Sequence, residues 1–258
     1  MTTCIAREPK IRQRTLSSLH AAGFPHPLIF FDGREGSEEY IGRLPTIKPF
    51  GNWLLGLYEL YLRNPHAERF AMFQDDLVTY KNLRQYLKKC EYPSSGKIVR
   101  SNILVPPGKG YWNLFTFTST VDKAKNEKSN EELRPSEDYQ GFYESNQRGR
   151  GAVALVFDKQ AVMTLLSSHL LVEHPQDVHR GFKRIDGIVL DCLSAAGYKE
   201  YVHWPSLVQH TGELSTIGNT PQPQATSFRG EDFDALDLLK KLEDEPMTYG
   251  TRTDTLPQ

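Results

Sequence analysis

Phe70-Ala-Met-Phe-Gln-Asp75-Asp76-Leu-Val-Thr79 is the stretch that decides the fold, because a short apolar run ends in two adjacent carboxylates. The apolar run predicts a buried strand over 70–74. In open α/β sheets, ligands bind at the carboxyl ends of strands, and carboxylate oxygens there suit a hard cation such as Mg²⁺ or Mn²⁺ that carries the phosphates of a substrate. The alternative is that both aspartates begin a helix over 80–89, whose dipole favours negative charge at its N-terminus.

The residues before this stretch alternate between candidate strands and helices. A predicted strand over 2–6 is followed by an amphipathic helix over 10–22 and by a strand over 27–32, which is the order of a βαβ unit. A second helix is predicted over 52–63 and leads into the strand over 70–74. Its apolar stripe consists of Leu54, Leu55, Tyr58, Tyr61 and Leu62. Each strand in this half ends in polar residues, so we expect those ends to face one cleft.

The same alternation continues to about residue 210. Strands are predicted over 97–105, 111–118, 151–157 and 198–204, and helices after Asp158 and over 186–196. A charged loop over 122–138 is expected to become ordered over a substrate. A short helix over 231–245 is predicted to pack back on the body. We therefore predict one α/β domain over 1–218, with a mixed, mainly parallel central sheet flanked by helices, and a C-terminal extension over 219–258 with a frayed end.

The composition disfavours several classes of protein. A chain of 258 residues with 38% hydrophobic and 24% charged residues suits one large α/β domain. Its net charge of −1 gives no overall attraction to nucleic acid or to an anionic membrane. Three widely separated cysteines indicate a reducing compartment, and neither a signal peptide nor a transmembrane run is recognised, so a cytoplasmic protein without a membrane span is expected. No glycine-rich phosphate loop follows the first strand, which disfavours P-loop and Rossmann enzymes.

Several segments resemble glycosyltransferases of the GT-A fold, which use a nucleotide-sugar donor and a divalent metal held by carboxylates. Thr2-Thr-Cys-Ile-Ala-Arg7, followed by Arg14-Thr-Leu-Ser-Ser-Leu19, looks like the first strand and helix of that family, and Phe30-Phe-Asp32-Gly33 looks like its second strand. Gln74-Asp75-Asp76 stands at the position of the acidic Asp-x-Asp motif, with Gln74 in place of the first aspartate. Arg184-Ile-Asp186-Gly187 is similar to the acidic helix on the acceptor side. Pro205-Ser-Leu-Val-Gln-His210 resembles the late metal-binding segment of branching N-acetylglucosaminyltransferases and of bacterial and phage sugar transferases.

The resemblance implies a role for each of these residues. Asp76 and His210 are implied to bind one Mn²⁺ or Mg²⁺ ion. Asp186 is the expected catalytic base of an inverting transfer, because a carboxylate must take the proton of the attacking hydroxyl; Asp191 is the second candidate, and simple helix capping by Asp186 is the alternative. The nucleotide-sugar pocket is implied to contain Thr3, Arg7, Asp32, Gln74 and Asp75.

Other side chains are candidates for contact with donor or acceptor. Trp112 and Trp204 are possible platforms for stacking on a sugar, with a place in the core as the alternative. Arg150 lies in the glycine-rich segment 147–151 and is a candidate for binding pyrophosphate or an anionic acceptor, with a solvated turn as the alternative. Basic clusters within 81–89, 148–150 and 180–184 leave a DNA acceptor open, and ordinary solvated faces are the alternative there.

The expected function is therefore a metal-dependent, inverting GT-A glycosyltransferase. It would move a hexose or N-acetylhexosamine from a UDP-sugar to a hydroxyl of a glycan or of a hydroxymethylated base in DNA. Two alternatives belong to other classes. A nucleotidyltransferase also uses strand-end aspartates with metal, and a carbohydrate- or nucleic-acid-binding module would be non-catalytic.

Overall fold

The computed structural model describes residues 1–90, 92–93, 109–117, 125, 127–173, 185–211 and 223–239, which form a mixed α/β fold. Their strands are β1 Thr2–Cys4, β2 Phe30–Asp32, β3 Ile41–Arg43, β4 Arg69–Phe73, β5 Leu77–Thr79, β6 Gly110–Asn113, β7 Gly141–Glu144, β8 Ala154–Asp158, β9 Lys199–Trp204 and β10 Val208–His210. Their longer helices are α1 Pro9–Ala21, α2 Lys48–Arg63, α3 Leu83–Lys89, α4 Lys159–Leu166, α5 Leu170–Glu173 and α6 Ile185–Ala195.

The main sheet is built from two hydrogen-bonded sets of strands. One set has the order β1-β2-β3 and is parallel, and the other has the order β4-β8-β6-β9-β7. A parallel bridge between Thr2 and Gln74 joins them, so the combined order is β3-β2-β1-β4-β8-β6-β9-β7. Within this order β8 and β7 run antiparallel to their neighbours, whereas β6 and β9 are parallel. The predicted α/β class is confirmed, and the sheet contains both parallel and antiparallel pairs.

Side chains alternate along β4 and cover both faces of the sheet. Phe70 and Met72 belong to one buried apolar cluster and Phe73 belongs to the other, as the two-residue period of a strand requires. One face is covered by α2, which packs on β1, β2 and β4. Gly56 of this helix permits the close approach, because a Cβ atom added there would lie 2.8 Å from the ring of Phe30. The central strands are therefore buried between two apolar layers.

The segment after Asp76 does not begin a helix over 80–89, which was the alternative interpretation of the two aspartates. Leu77–Thr79 forms β5, and α3 begins only at Leu83. β5 is buried and pairs with β10, which lies far away in the sequence. The two aspartates therefore lie in the turn between two strands and do not begin a helix. Pairing with a distant strand decided this conformation, and local sequence does not carry that information.

Other predicted boundaries shift or fall outside the described residues. The helix predicted over 52–63 begins earlier, at Lys48, with Pro49 in its first turn, a position that proline favours. Residues 231–236 are not helical, and the helix predicted over 231–245 has only 237–239 assigned as helix, because 240–245 lie outside the described residues. The strand predicted over 97–105 also lies outside them.

Two segments outside the sheet pack on the body of the protein. In the predicted charged loop, the carbonyl oxygen of Asn130 accepts a hydrogen bond of 2.6 Å from the hydroxyl of Tyr143. In the segment 223–239, the ring of Phe228 stacks on that of Tyr80 with 4.9 Å between centroids, as expected for a C-terminal segment that packs back. None of the described helices combines the length and apolar composition that crossing a membrane requires.

Candidate functional site

The ends of β1 and β4 bring Thr3, Arg7 and the aspartate pair together. The bridge between Thr2 and Gln74 places the two strands side by side, so the residues that follow them become neighbours. The hydroxyl of Thr3 donates a hydrogen bond to Oδ2 of Asp75. Nε of Arg7 donates to Oδ1 of Asp75 at 3.0 Å, and Nη2 donates to Oδ2 of Asp76 at 2.8 Å. One guanidinium therefore bridges both carboxylates.

This cluster is buried and its turn is held from α1. The side chains of Arg7, Asp75 and Asp76 are exposed by 5%, 8% and 4%. The hydroxyl of Thr15 lies 2.9 Å from the carbonyl oxygen of Asp75 and 2.8 Å from that of Leu77. It also accepts a hydrogen bond of 3.2 Å from the backbone N–H of Leu77. Thr15 thereby fixes the turn that presents the two carboxylates.

Electrostatics keep the guanidinium of Arg7 charged. Burial would lower its pKa, but the charges of Asp75 and Asp76 outweigh this effect and raise the pKa above its ordinary value. Burial also raises the pKa of the Asp75 carboxyl, and Arg7 and the hydroxyl of Thr3 oppose that shift. The cluster therefore sets one guanidinium against two carboxyl groups.

His210 reaches the same cluster from the far end of the chain. β10 pairs with β5 so that His210 lies opposite Leu77, and the N–H of Thr211 donates to the carbonyl oxygen of Asp76 at 3.0 Å. Nδ1 of His210 lies 3.7 Å from Oδ1 of Asp76, and its ring meets that of Phe115 at 5.2 Å between centroids. Burial lowers the pKa of His210 although Asp76 opposes the shift. The imidazole is therefore neutral at pH 7 and keeps one nitrogen lone pair.

The donor atoms of Asp76 and His210 fit a divalent cation. The distance of 3.7 Å between Oδ1 and Nδ1 is too long for a hydrogen bond, but it is within the span of two ligands that each lie about 2.1 Å from one ion. Within the described parts of the chain, no group of three or more His, Cys, Asp or Glu side chains is placed to hold a metal. Further ligands for such an ion would come from substrate phosphates and water, as is common for Mg²⁺.

Asp186 lies in the first turn of α6 and is held by two backbone N–H groups. Its Oδ2 accepts from Gly151 at 3.0 Å and its Oδ1 accepts from Gly187 at 3.1 Å. Burial raises the pKa of Asp186, although these N–H groups and the charge of Arg150 oppose the shift. A raised pKa suits a carboxylate that must take a proton from a hydroxyl. Asp186 lies inside the helix, after Ile185, and the bond from Gly187 satisfies an N–H of the first turn without being a cap bond to the second or third residue beyond. Asp191 lies on the same helix.

Backbone contacts link Asp186 to the aspartate pair. Gly151, which donates to Asp186, is followed by Ala152 and Val153. The side-chain amide of Gln74 donates to the carbonyl oxygen of Ala152 at 2.9 Å, and its backbone N–H donates to that of Val153 at 2.9 Å. Gln74 immediately precedes the aspartate pair, so the structure connects the predicted base and the strand-end carboxylates through one loop. The side-chain amide of Gln74 therefore holds this loop against the end of β4.

Asp32, the predicted contact to base or ribose, fixes the beginning of α2. Its Oδ2 accepts from the hydroxyl of Thr46 at 2.6 Å and from the N–H of Lys48 at 3.1 Å. Its Oδ1 accepts from the N–H of Ile47 at 2.8 Å. The carboxylate does lie at the end of β2, as the sequence predicts, and the contacts that the structure shows for it are structural ones.

The three candidate contacts to donor or acceptor occupy different environments. Trp112 is fully buried and stacks on Phe142 with 4.3 Å between ring centroids, so its position matches the core alternative. Arg150 is partly buried beside Asp186, at the beginning of the loop described above. Trp204 is partly buried at the end of β9, and the guanidinium of Arg134 lies 4.2 Å from its ring centroid.

Two of the predicted basic clusters contain residues that pair with acidic side chains. Lys81 lies 2.8 Å from Asp232, and Arg148 lies 2.6 Å from Glu127. The cluster within 180–184 falls outside the described residues. These pairs support the alternative of solvated faces for the first two clusters.

Neither Thr15 nor Phe115 was predicted from the sequence to contact the site. Both belong to common residue types, and their contacts come from residues distant in the chain. Comparison of the chain with models of known protein families finds no match, and neither does a search of curated protein sequences. The function proposed below rests on the chain's own residues.

Proposed function

We propose that this protein is a metal-dependent glycosyltransferase of the GT-A type that transfers a hexose or N-acetylhexosamine from a UDP-sugar to a hydroxyl. The observation that carries the proposal is the convergence of His210, in β10, with Asp76, which follows β4 where that strand lies beside the parallel β1. The nearest ligand atoms of the two side chains lie 3.7 Å apart. Strand ends of this kind are where α/β proteins bind ligands. The resemblance of the motifs to that family supports the choice of donor.

The proposal gives each part of the site a task. Asp76 and His210 would hold Mn²⁺ or Mg²⁺, which when bound neutralises charge on the departing diphosphate. Arg7 keeps the two buried carboxylates in place. Thr3 orients Asp75, which would face the nucleotide. Asp186 accepts the proton of the acceptor hydroxyl while the oxygen of that hydroxyl attacks the anomeric carbon. The bond from that carbon to the diphosphate oxygen breaks, so the configuration inverts.

The test is donor hydrolysis in the absence of acceptor. Incubation with UDP-glucose or UDP-N-acetylglucosamine and Mn²⁺ should release UDP, and chelation of the metal should stop the release. Asp76→Asn should abolish both UDP release and metal-dependent UDP binding, whereas Asp232→Asn, at a carboxylate that is 99% exposed, should change neither. Full activity of Asp76→Asn in the presence of chelator would refute the metal site. Release of pyrophosphate from UTP and a sugar phosphate would indicate a nucleotidyltransferase, and mere binding would indicate a binding module.

The acceptor is proposed to be a glycan, because Lys81 and Arg148 are paired with acidic residues and the net charge is −1. A protein that follows a phosphate backbone needs free cations and binds less tightly as salt rises. Transfer from radioactive UDP-sugar to hydroxymethylated duplex DNA at low salt, with plain duplex as the control, tests the other acceptor. Labelling of the modified duplex alone would overturn the choice of a glycan.

A further inference from the structure

Asn113, at the end of β6, is fully buried and its amide makes three hydrogen bonds. Nδ2 donates to the carbonyl oxygen of Arg150 at 2.8 Å and to Oε1 of Glu200 at 3.1 Å. Oδ1 accepts from the backbone N–H of Phe115 at 3.1 Å. Rotating the amide by half a turn would set oxygen against two acceptors and nitrogen against a donor. The three partners therefore define one orientation.

These bonds reach both sides of the site. Arg150 directly precedes Gly151, whose N–H donates to Asp186 at 3.0 Å. Phe115, which Oδ1 of Asn113 holds, packs against His210 with 5.2 Å between ring centroids. Gly151 and Phe115 also touch each other, because a Cβ atom added at Gly151 would lie 2.8 Å from the Phe115 ring. Asn113 is thus bonded to the backbone beside each of the two functional side chains.

Glu200 of β9 is the residue that keeps the amide of Asn113 in this orientation. Its side chain is buried, and its second carboxylate oxygen accepts from the hydroxyl of Ser145 at 2.7 Å. The hydroxyl of Tyr111 lies 3.3 Å from Oε1. The backbone of Glu200 is held in turn by the side chain of Gln147, with bonds of 2.9 Å and 3.1 Å. A rigid acceptor therefore faces Nδ2 of Asn113.

We propose that Asn113 is a positioning residue that keeps Asp186 and His210 in fixed relation, and that Glu200 orients its amide for this task. The proposal rests on the function proposed above, because it assigns the two side chains to one reaction. Asn113 would act on the acceptor side of the site, where Asp186 takes the proton. The contacts of Thr3 and Arg7 on the donor side do not involve Asn113.

The amide of Gly151 reports on this arrangement whether or not the protein is active. Its hydrogen exchange, followed by NMR, should be roughly tenfold faster in Asn113→Ala and in Glu200→Ala, the factor for losing about one buried hydrogen bond. Glu200→Gln should keep the protection, because its amide oxygen still accepts from Asn113. Glu144→Ala, on the neighbouring strand and paired with Lys199 at the surface, is the control and should change nothing.

Activity then separates positioning from mere structure. Asn113→Ala and Glu200→Ala should lower the kcat of UDP-sugar transfer by roughly tenfold with the KM for the donor unchanged, and Glu200→Gln should restore kcat. If the wild type releases no UDP, the proposed function fails while the exchange of Gly151 still decides the positioning contact. Unchanged hydrogen exchange of Gly151 in both alanine variants would overturn the proposal. An equal loss of protection in Glu200→Gln would do the same, and so would faster exchange in an alanine variant whose kcat is normal. If Asn113→Ala does not fold, the two Glu200 variants decide alone.

Discussion

Replacing Glu200 by Gln tests how the burial of one carboxyl shapes the stability of the fold. Glu200 is 2% exposed. Burial raises its pKa from the ordinary 4.5 to about 7; hydrogen bonds from Ser145, Asn113 and Tyr111 oppose this shift, and the charge of Asp186 adds to it. The unfolded chain releases this proton near pH 4.5, and the folded chain releases it near pH 7. The folded state therefore binds one more proton between those two values.

The sign of the effect follows from this difference. Because the folded pKa is the higher one, the stability linked to Glu200 is fully present below pH 4.5 and is lost as the pH rises through 7. The pKa of Glu200 is about 2.5 higher in the folded chain, and a difference of one in pKa corresponds to about 1.4 kcal/mol, so the full loss is about 3.4 kcal/mol. Gln does not titrate and has nearly the same shape. Between pH 4.5 and pH 8, the free energy of unfolding of Glu200→Gln should therefore rise by about 3 kcal/mol relative to the wild type.

Urea unfolding measured by tryptophan fluorescence at several pH values between 4.5 and 8 checks this expectation. The difference between the free energies of unfolding of the two proteins removes the contribution of carboxyls that titrate in the same way in both. Glu144→Gln, whose partner Lys199 is 53% exposed, serves as the control and should run parallel to the wild type within about 1 kcal/mol. A Glu200→Gln curve that also stays parallel would refute the reasoning, because the buried carboxyl would then titrate as it does in the unfolded chain.

Three further changes have expected outcomes of their own. Arg7→Ala removes the guanidinium from two buried carboxylates and should lower the free energy of unfolding by about 3–5 kcal/mol. Arg14→Ala breaks an exposed pair and should lower it by less than about 1 kcal/mol. Equal losses of the two variants in urea titrations would contradict this expectation. Asp186→Ala should lower kcat roughly 10²-fold or more with UDP affinity by calorimetry unchanged, and an α-linked donor should give a β-linked product by NMR; near-normal turnover or an α-linked product would exclude the mechanism. Gly56→Ala places a methyl group 2.8 Å from the ring of Phe30 and should destabilise the protein by about 1–3 kcal/mol; an unchanged melting temperature would show that the ring has room to move.

Much of the architecture was predictable from local pattern. The apolar run before Asp75, the amphipathic helices and the capping residue Asp158 all act within a few neighbouring positions. Asp158 does cap α4, since its carboxylate accepts from the N–H of Ala161 at 2.7 Å. Periodicity and capping depend on backbone geometry alone, so the sequence sufficed for the mixed α/β class and for locating the aspartate pair at a strand end.

The partners of those residues were decided only by the tertiary structure. Leu77–Thr79 is a strand because β10 is available to pair with it, although the sequence also suited a helix start. The guanidinium of Arg7 lies between two carboxylates because the bridge from Thr2 brings β1 beside β4. Two hydrogen-bond partners of Asn113, Arg150 and Glu200, likewise come from distant parts of the chain. Strand pairing joins positions far apart in the chain, and burial then favours hydrogen bonds between the polar groups that it brings together. Neither the register nor the partner is encoded in a residue's own neighbourhood.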